Sequence, residues 1–134
     1  MASGHLKTTD SIEATCNLDD FEIVREFMTK VGDKWSIVLL VALDRTATKR
    51  ARFSELQRKL DPISQRVLTT TLRNLERDGF VSREAFAEVP PRVEYELTAR
   101  GIDLLKPLEL LVQWITMNWP AIKQSRKLFD DHAR

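Results

Sequence analysis

The sequence predicts a mainly α fold of the α+β class, in which two short helices and a β-hairpin are flanked by longer helices. Three observations carry that expectation. Residues 62–80, PISQRVLTTTLRNLERDGF, have helical periodicity with one apolar side and one Arg/Thr side. FSELQRKL precedes the helical part of that stretch across a break of about four residues, which is helix-turn-helix spacing. After Gly79 the apolar period falls to two, over two stretches joined by a loop containing Pro90–Pro91. A hairpin directly behind the second helix is the wing of a winged helix-turn-helix.

Composition agrees with one domain of that size. A chain of 134 residues holds one ordinary core, and 43% apolar with 31% charged residues fits a globular protein rather than a disordered one. The expected division is an irregular arm over 1–17 and a single domain over 18–134. Within it, the winged helix-turn-helix core spans about 45–97, flanked by helices over about 19–31 and 99–129. MASGHLKTTD has no apolar stretch of the secretory kind, and the longest apolar run, Ile37–Leu43, is far short of a membrane span. A cytoplasmic protein with no membrane partner is the expectation. One cysteine excludes an internal disulfide and a cysteine-based zinc site.

Net charge is only +1, but its distribution is uneven. Arg45–Arg92 holds 11 Lys/Arg against 6 Asp/Glu, and the remainder 10 against 14. A basic middle between acidic ends suits a chain that presents one face to phosphates.

Taken in order, Asp19 or Asp20 is placed to cap a first helix carrying Phe21, Val24, Phe27, Met28 and Val31, with Gly32 as its stop. Asp33 caps the next element, Lys34–Leu43. It is apolar all round, so periodicity does not separate buried helix from buried strand; the cap and the absence of a hairpin signal favour helix, with Trp35 in the core. TATKRAR is a basic loop with room for a short strand. FSELQRKL turns Phe53, Leu56 and Leu60 inward. In the following helix Val67, Leu68, Leu72 and Leu75 form the apolar arc, opposite Arg66, Thr69, Thr70, Arg73 and Arg77. Ser64 is its N-cap and Gly79 takes the left-handed C′ position. The hairpin strands contain Phe80–Ala87 and Arg92–Leu97. Thr98 caps a long helix from Ala99 to about Asn118, with Pro107 either kinking it or restricting its first turns. Trp119–Pro120 ends that helix, and a short one covers Ile122–Phe129.

GDKWSIVLLVAL, RFSEL, ISQRVLTTTLRNLERDGFVSRE and VPPRVEYELTARG together resemble the HxlR family of bacterial transcriptional regulators, winged helix-turn-helix proteins related in fold to the MarR group. The resemblance covers roughly Val31–Trp119. It implies a homodimer on double-stranded operator DNA, with a recognition helix of each protomer in a major groove and the wing along the flanking minor groove. It also implies pairing through the first and last helices and, most often, repression. The apolar residues of those two helices agree independently, since they exceed what a small winged helix buries alone.

An Arg/Thr helix face taken alone reads equally as solvated surface. In this context its first two turns enter the groove, which nominates Gln65, Arg66, Thr69, Thr70 and Arg73 as base readers. Lys49, Arg50, Arg52, Arg58, Ser64 and Arg77 are the backbone candidates, joined on the wing by Arg92 and, more weakly, Arg83.

Cys16 precedes the first helix. Several regulators of this type carry an N-terminal cysteine that responds to oxidants or electrophiles, which makes Cys16 a candidate redox sensor; an inert cysteine is the alternative. Here Asn17 follows, where the common pattern has proline. A reversible small-molecule effector in a pocket lined by Phe27, Trp35 or Trp114 is a second route of control. A winged helix used for protein–protein contact is a third reading. No HExxH, Walker A or GxGxxG motif appears, and His5 and His132 lie at opposite ends, so no catalytic residue, metal or cofactor is expected.

Overall fold

The computed structural model describes residues 18–31 and 33–133. The arm expected over 1–17, including Cys16 and His5, and the stop expected at Gly32 lie outside the described residues. The element order is α1 (Leu18–Lys30), α2 (Lys34–Asp44), β1 (Arg50–Arg52), α3 (Phe53–Lys59), α4 (Gln65–Arg77), β2 (Val81–Phe86), β3 (Arg92–Leu97) and α5 (Ala99–Ala133).

α2 settles the open choice in favour of helix. Asp33 Oδ1 accepts from the Ser36 amide at 2.7 Å, satisfying one of the unpaired donors of the first turn. Leu39, Leu40 and Leu43 are fully buried, so α2 is the core's central rod. Around it pack Leu56 and Leu60 from the α3 region, Leu68, Leu72 and Leu75 from α4, Tyr95 and Leu97 from β3, and Leu105 from α5. Trp35 is half-buried against this cluster rather than inside it, with the Lys34 ammonium 5.5 Å from its ring centre.

The three strands form an antiparallel sheet in the order β1-β3-β2. β1 is the short strand that the basic loop had room for; it pairs Ala51 with Tyr95, while the hairpin pairs Arg83 with Tyr95 and Glu84 with Glu94. Side chains alternate between faces, so Ala51, Tyr95, Leu97 and Val81 turn to the core.

Two features of the sequence reading are corrected. α1 begins at Leu18, which puts Asp19 and Asp20 in its first turn rather than at its cap. α5 does not end at Trp119–Pro120 but continues unbroken through Pro107 and Pro120 to Ala133. An interior proline costs about 3 kcal/mol, yet it removes only one hydrogen bond of the ladder. The Lys, Gln, Arg and Leu residues after Pro120 are good helix formers.

The junction between α4 and α5 is tight. Thr98 Oγ1 donates to the Gly79 carbonyl at 2.6 Å and accepts from the Gly101 amide at 3.2 Å, so the expected cap also ties α5 to the end of α4. Gly79 has φ +82°, the left-handed C′ conformation. A Cβ on Gly101 would lie 2.3 Å from the Phe80 carbonyl oxygen, a backbone atom with little freedom to retreat. Alanine there gains about 1 kcal/mol in helix propensity but meets an overlap costing about 1–3 kcal/mol. Gly101→Ala is therefore expected to lower the urea midpoint, and a raised midpoint would show that the junction relaxes freely.

Beyond Leu108, α5 leaves the core: Leu111, Trp114, Ile115 and Trp119 are all more than 40% exposed. α1 is detached in the same way. Phe21, Ile23, Val24 and Met28 are more than half exposed, and its end is tied to the core by the edge-to-face contact of Phe27 with Phe80 at 6.0 Å and by the buried Val31 that follows it. The first turns of α5 help to close the protomer's core through Leu105, but the apolar surface of α1 and of α5 beyond Leu108 stays largely uncovered.

Candidate nucleic-acid interface

α4 presents the interface because its sequence divides it into two sides. Ser64 caps it by accepting from the Val67 amide at 3.1 Å. Leu68, Thr71, Leu72 and Leu75 are buried, a spacing of 3-1-3 that locks one face onto α2. The arc differs from the sequence expectation at one edge: Val67 is 39% exposed, and Thr71 takes a place on the buried side. Thr71 is tolerated there because its hydroxyl donates to the Val67 carbonyl at 2.8 Å, leaving its methyl for the core.

The opposite face carries Gln65, Arg66, Thr69, Thr70, Arg73 and Arg77, all exposed. Neither Arg66, Arg73 nor Arg77 forms an ion pair among the described residues, so their guanidinium donors are free for a partner. Thr69 donates its hydroxyl to the Gln65 carbonyl at 2.8 Å, which leaves its methyl as the distinctive group. Glu76 borders this face at its far end, lining a shallow depression with Thr70, Arg73, Asn74 and Arg77.

The wing stands beside α4 across a cleft of about 510 Å³ lined by Arg52, Ser54, Thr69, Arg83, Pro91 and Tyr95, among others. Arg83 is exposed and faces the same side of the sheet as its pairing partner Tyr95. Arg52 and Arg58 are exposed, at the start and end of α3. Lys49 is bound to Asp44 at 2.5 Å but keeps 41% of its side chain exposed, in a left-handed backbone with φ 56°.

Two of the expected phosphate contacts are already occupied. Arg50 reaches Glu94 at 2.5 Å, Glu84 at 3.1 Å and Glu96 at 3.3 Å. Arg92, which the sequence ranked first on the wing, meets Glu88 at 3.0 Å and Glu94 at 3.1 Å, with its guanidinium 4.0 Å from the centre of the Phe86 ring. Hydrogen bonding to Glu94, then to Glu84, holds the Arg50 guanidinium well above its ordinary pKa. The same bond holds the Glu94 carboxyl below the usual carboxylate range. These ion pairs follow from strand pairing, which sets Arg50 of β1 beside Glu96 and Arg52 beside Glu94. The sequence expectation overlooked Glu94; the alternating Arg92-Glu94-Glu96 of β3 hints at it only once β1 is known to lie alongside.

The proposed effector residues are not brought together in the protomer. Phe27 lines a depression of about 300 Å³ with Ile23, Lys30, Asp78 and Phe80. Trp35 packs on the core, and Trp114 is 57% exposed on α5. No group of three or more His, Cys, Asp or Glu residues suited to a metal occurs among the described residues. None of the described helices is long and apolar enough to cross a membrane.

Known proteins share this arrangement. The HTH-type transcriptional regulator YtfH of Escherichia coli (strain K12) is 41% identical over 98 residues, covering 73% of this chain and 75% of its own. The solved structure of the transcriptional regulator YtfH from Salmonella typhimurium superposes with a TM-score of 0.70 at 36% identity, over 78% of this chain and 90% of the other. The redox regulator HypR in its reduced form gives 0.67 at 35%, over 75% and 97%. Residues 30–123 match the model of the HxlR-like helix-turn-helix family. Family, fold and the exposed face of α4 agree: this chain belongs to the HxlR-like helix-turn-helix family of transcriptional regulators, which are not enzymes.

Proposed function

We propose that this protein is a sequence-specific repressor that binds a pseudo-palindromic operator as a homodimer. The observation that carries the reading is the exposed face of α4, where free arginines and threonines sit over a rigidly buried back. Gln65, Arg66, Thr69, Thr70 and Arg73 read base edges in the major groove, where arginine pairs with guanine, glutamine with adenine and a threonine methyl with thymine. Arg52, Arg58, Ser64, Arg77, Lys49 and the wing's Arg83 hold the backbone. Arg50 and Arg92 leave that set because each is held by two or more carboxylates and is about three-quarters buried, whereas Lys49 has one carboxylate partner and keeps 41% of its side chain exposed. The unpartnered apolar faces of α1 and α5 support the homodimer, and repression follows from the family's habit.

The test is a salt titration of duplex binding together with selection of bound sequences from a random pool. With about eight phosphate contacts per dimer, log K is expected to fall with log salt at a slope near −7. A slope smaller than about 2 in magnitude, or no enriched sequence, would favour an acidic protein as the partner of the α4 face.

A response to oxidants through Cys16 is supported by the similarity to HypR, a redox regulator. Two Cys16 thiols, one from each protomer, are oxidised to a disulfide as diamide is reduced to the hydrazine, and the crosslink shifts the recognition helices. Diamide is expected to weaken operator binding of the wild type and to spare Cys16→Ser. Equal loss in both removes Cys16 from the mechanism, and a ligand in the Phe27 depression then becomes the route to test.

A further inference from the structure

The outward face of the sheet carries charges of which the proposed operator contacts use only Arg52. Alternation places Arg50 and Arg52 of β1, Glu84 and Phe86 of β2, and Arg92, Glu94 and Glu96 of β3 on this one face. Glu94 sits at its centre, with only 16% of its side chain exposed. One of its oxygens takes Arg50 Nε at 2.5 Å, and the other lies 3.1 Å from Arg92 Nε. Glu84 and Glu96 close on Arg50 from either side, and Glu88 closes on Arg92. Both guanidinium groups stand over Phe86, at 4.0 and 5.8 Å from its ring centre. Two arginines are thus surrounded by four carboxylates, a group that repels a phosphate rather than attracting it.

We propose that Glu94 is a specificity-determining positioning residue: it holds Arg50 and Arg92 on the wing's own carboxylates and off DNA phosphates, so that sequence-independent affinity stays low. The inference rests on the DNA-binding reading above. A phosphate contact strengthens binding to every duplex alike, and a genome supplies far more random duplex than operator. Four more free arginines in a dimer would raise the competing background without adding one base contact. With Glu94 in place, the wing meets DNA through Arg83 and its exposed Val89 tip.

The experiment uses the full chain and a random-sequence duplex, titrated over a range of about 50–200 mM salt. Wild type is compared with Glu94→Gln, with Glu88→Gln and with the triple variant Glu94→Gln/Arg50→Met/Arg92→Met. Each freed arginine that reaches a phosphate is expected to steepen the slope by about 0.9, hence by about 1.8 for a dimer with one freed per protomer. Random-duplex binding tightens and operator preference narrows in Glu94→Gln, and the triple variant returns to the wild-type slope. Glu88→Gln removes the half-exposed one of the two carboxylates on Arg92 and leaves Glu94 in place, so a smaller steepening is expected of it, and it still reads the restraint if Glu94→Gln fails to fold. Folded carboxylate variants with the wild-type slope and random-duplex affinity would overturn the proposal and leave Glu94 a brace between strands. A wild type with no salt-dependent duplex binding would instead overturn the DNA reading itself.

Discussion

Placing glutamate at both Leu111 and Ile115 is expected to leave the protein monomeric and to cut its operator affinity by about 10²–10⁴. The size of the effect comes from linkage: two half-sites bound by one dimer engage at high effective concentration, and a monomer forfeits that. Both residues lie one turn apart on α5 and are 45% and 43% exposed in the protomer. The change therefore adds charge to the surface proposed to meet a second copy without emptying the core formed by Leu39, Leu40, Leu68 and Leu72. Sedimentation equilibrium reads the mass, circular dichroism checks the fold, and an operator titration reads the affinity. A folded double variant that stays dimeric moves the interface to α1, whose Phe21, Ile23, Val24 and Met28 are the other exposed apolar group.

Arg73→Ala is expected to weaken operator binding by about 1–3 kcal/mol, a factor of roughly 5 to 150, and to relax preference at one base position. Arg73 is exposed on α4, two turns from the Ser64 cap, and pairs with no carboxylate among the described residues. Its loss leaves Leu72 and Leu75 in place, so stability is expected to hold. Binding is measured on the selected operator and on random duplex. An equal loss on both would assign Arg73 to the backbone, beside Arg77.

The two expectations depend on different parts of the sequence signal. The α4 face was legible because caps, helical period and the stop at Gly79 all act within a few residues. Ser64, Gly79, Thr98 and Asp33 each do what their residue type and position implied. The dimer face was legible in part. The apolar pattern of α1 and α5 was visible, and with it a surplus over what one protomer buries, but not which residues stay uncovered. The length of α5 was misread because Pro120 signals a stop locally, while the helix formers on both sides carry the ladder past it.

By itself, then, the sequence determined the order of the main helices and the hairpin, the caps at Asp33, Ser64 and Thr98, and that α4 keeps an Arg/Thr side free of the core. All of these rest on contacts between near neighbours along the chain. The tertiary structure alone decided which basic residues remain free. Arg50 and Arg92 look no different from Arg52 and Arg83 in sequence, yet Arg50 hydrogen-bonds Glu94 across 44 residues. Only the pairing of β1 with β3 makes those two neighbours, and a charge with a carboxylate at hydrogen-bond distance has far less to offer a phosphate than one facing water.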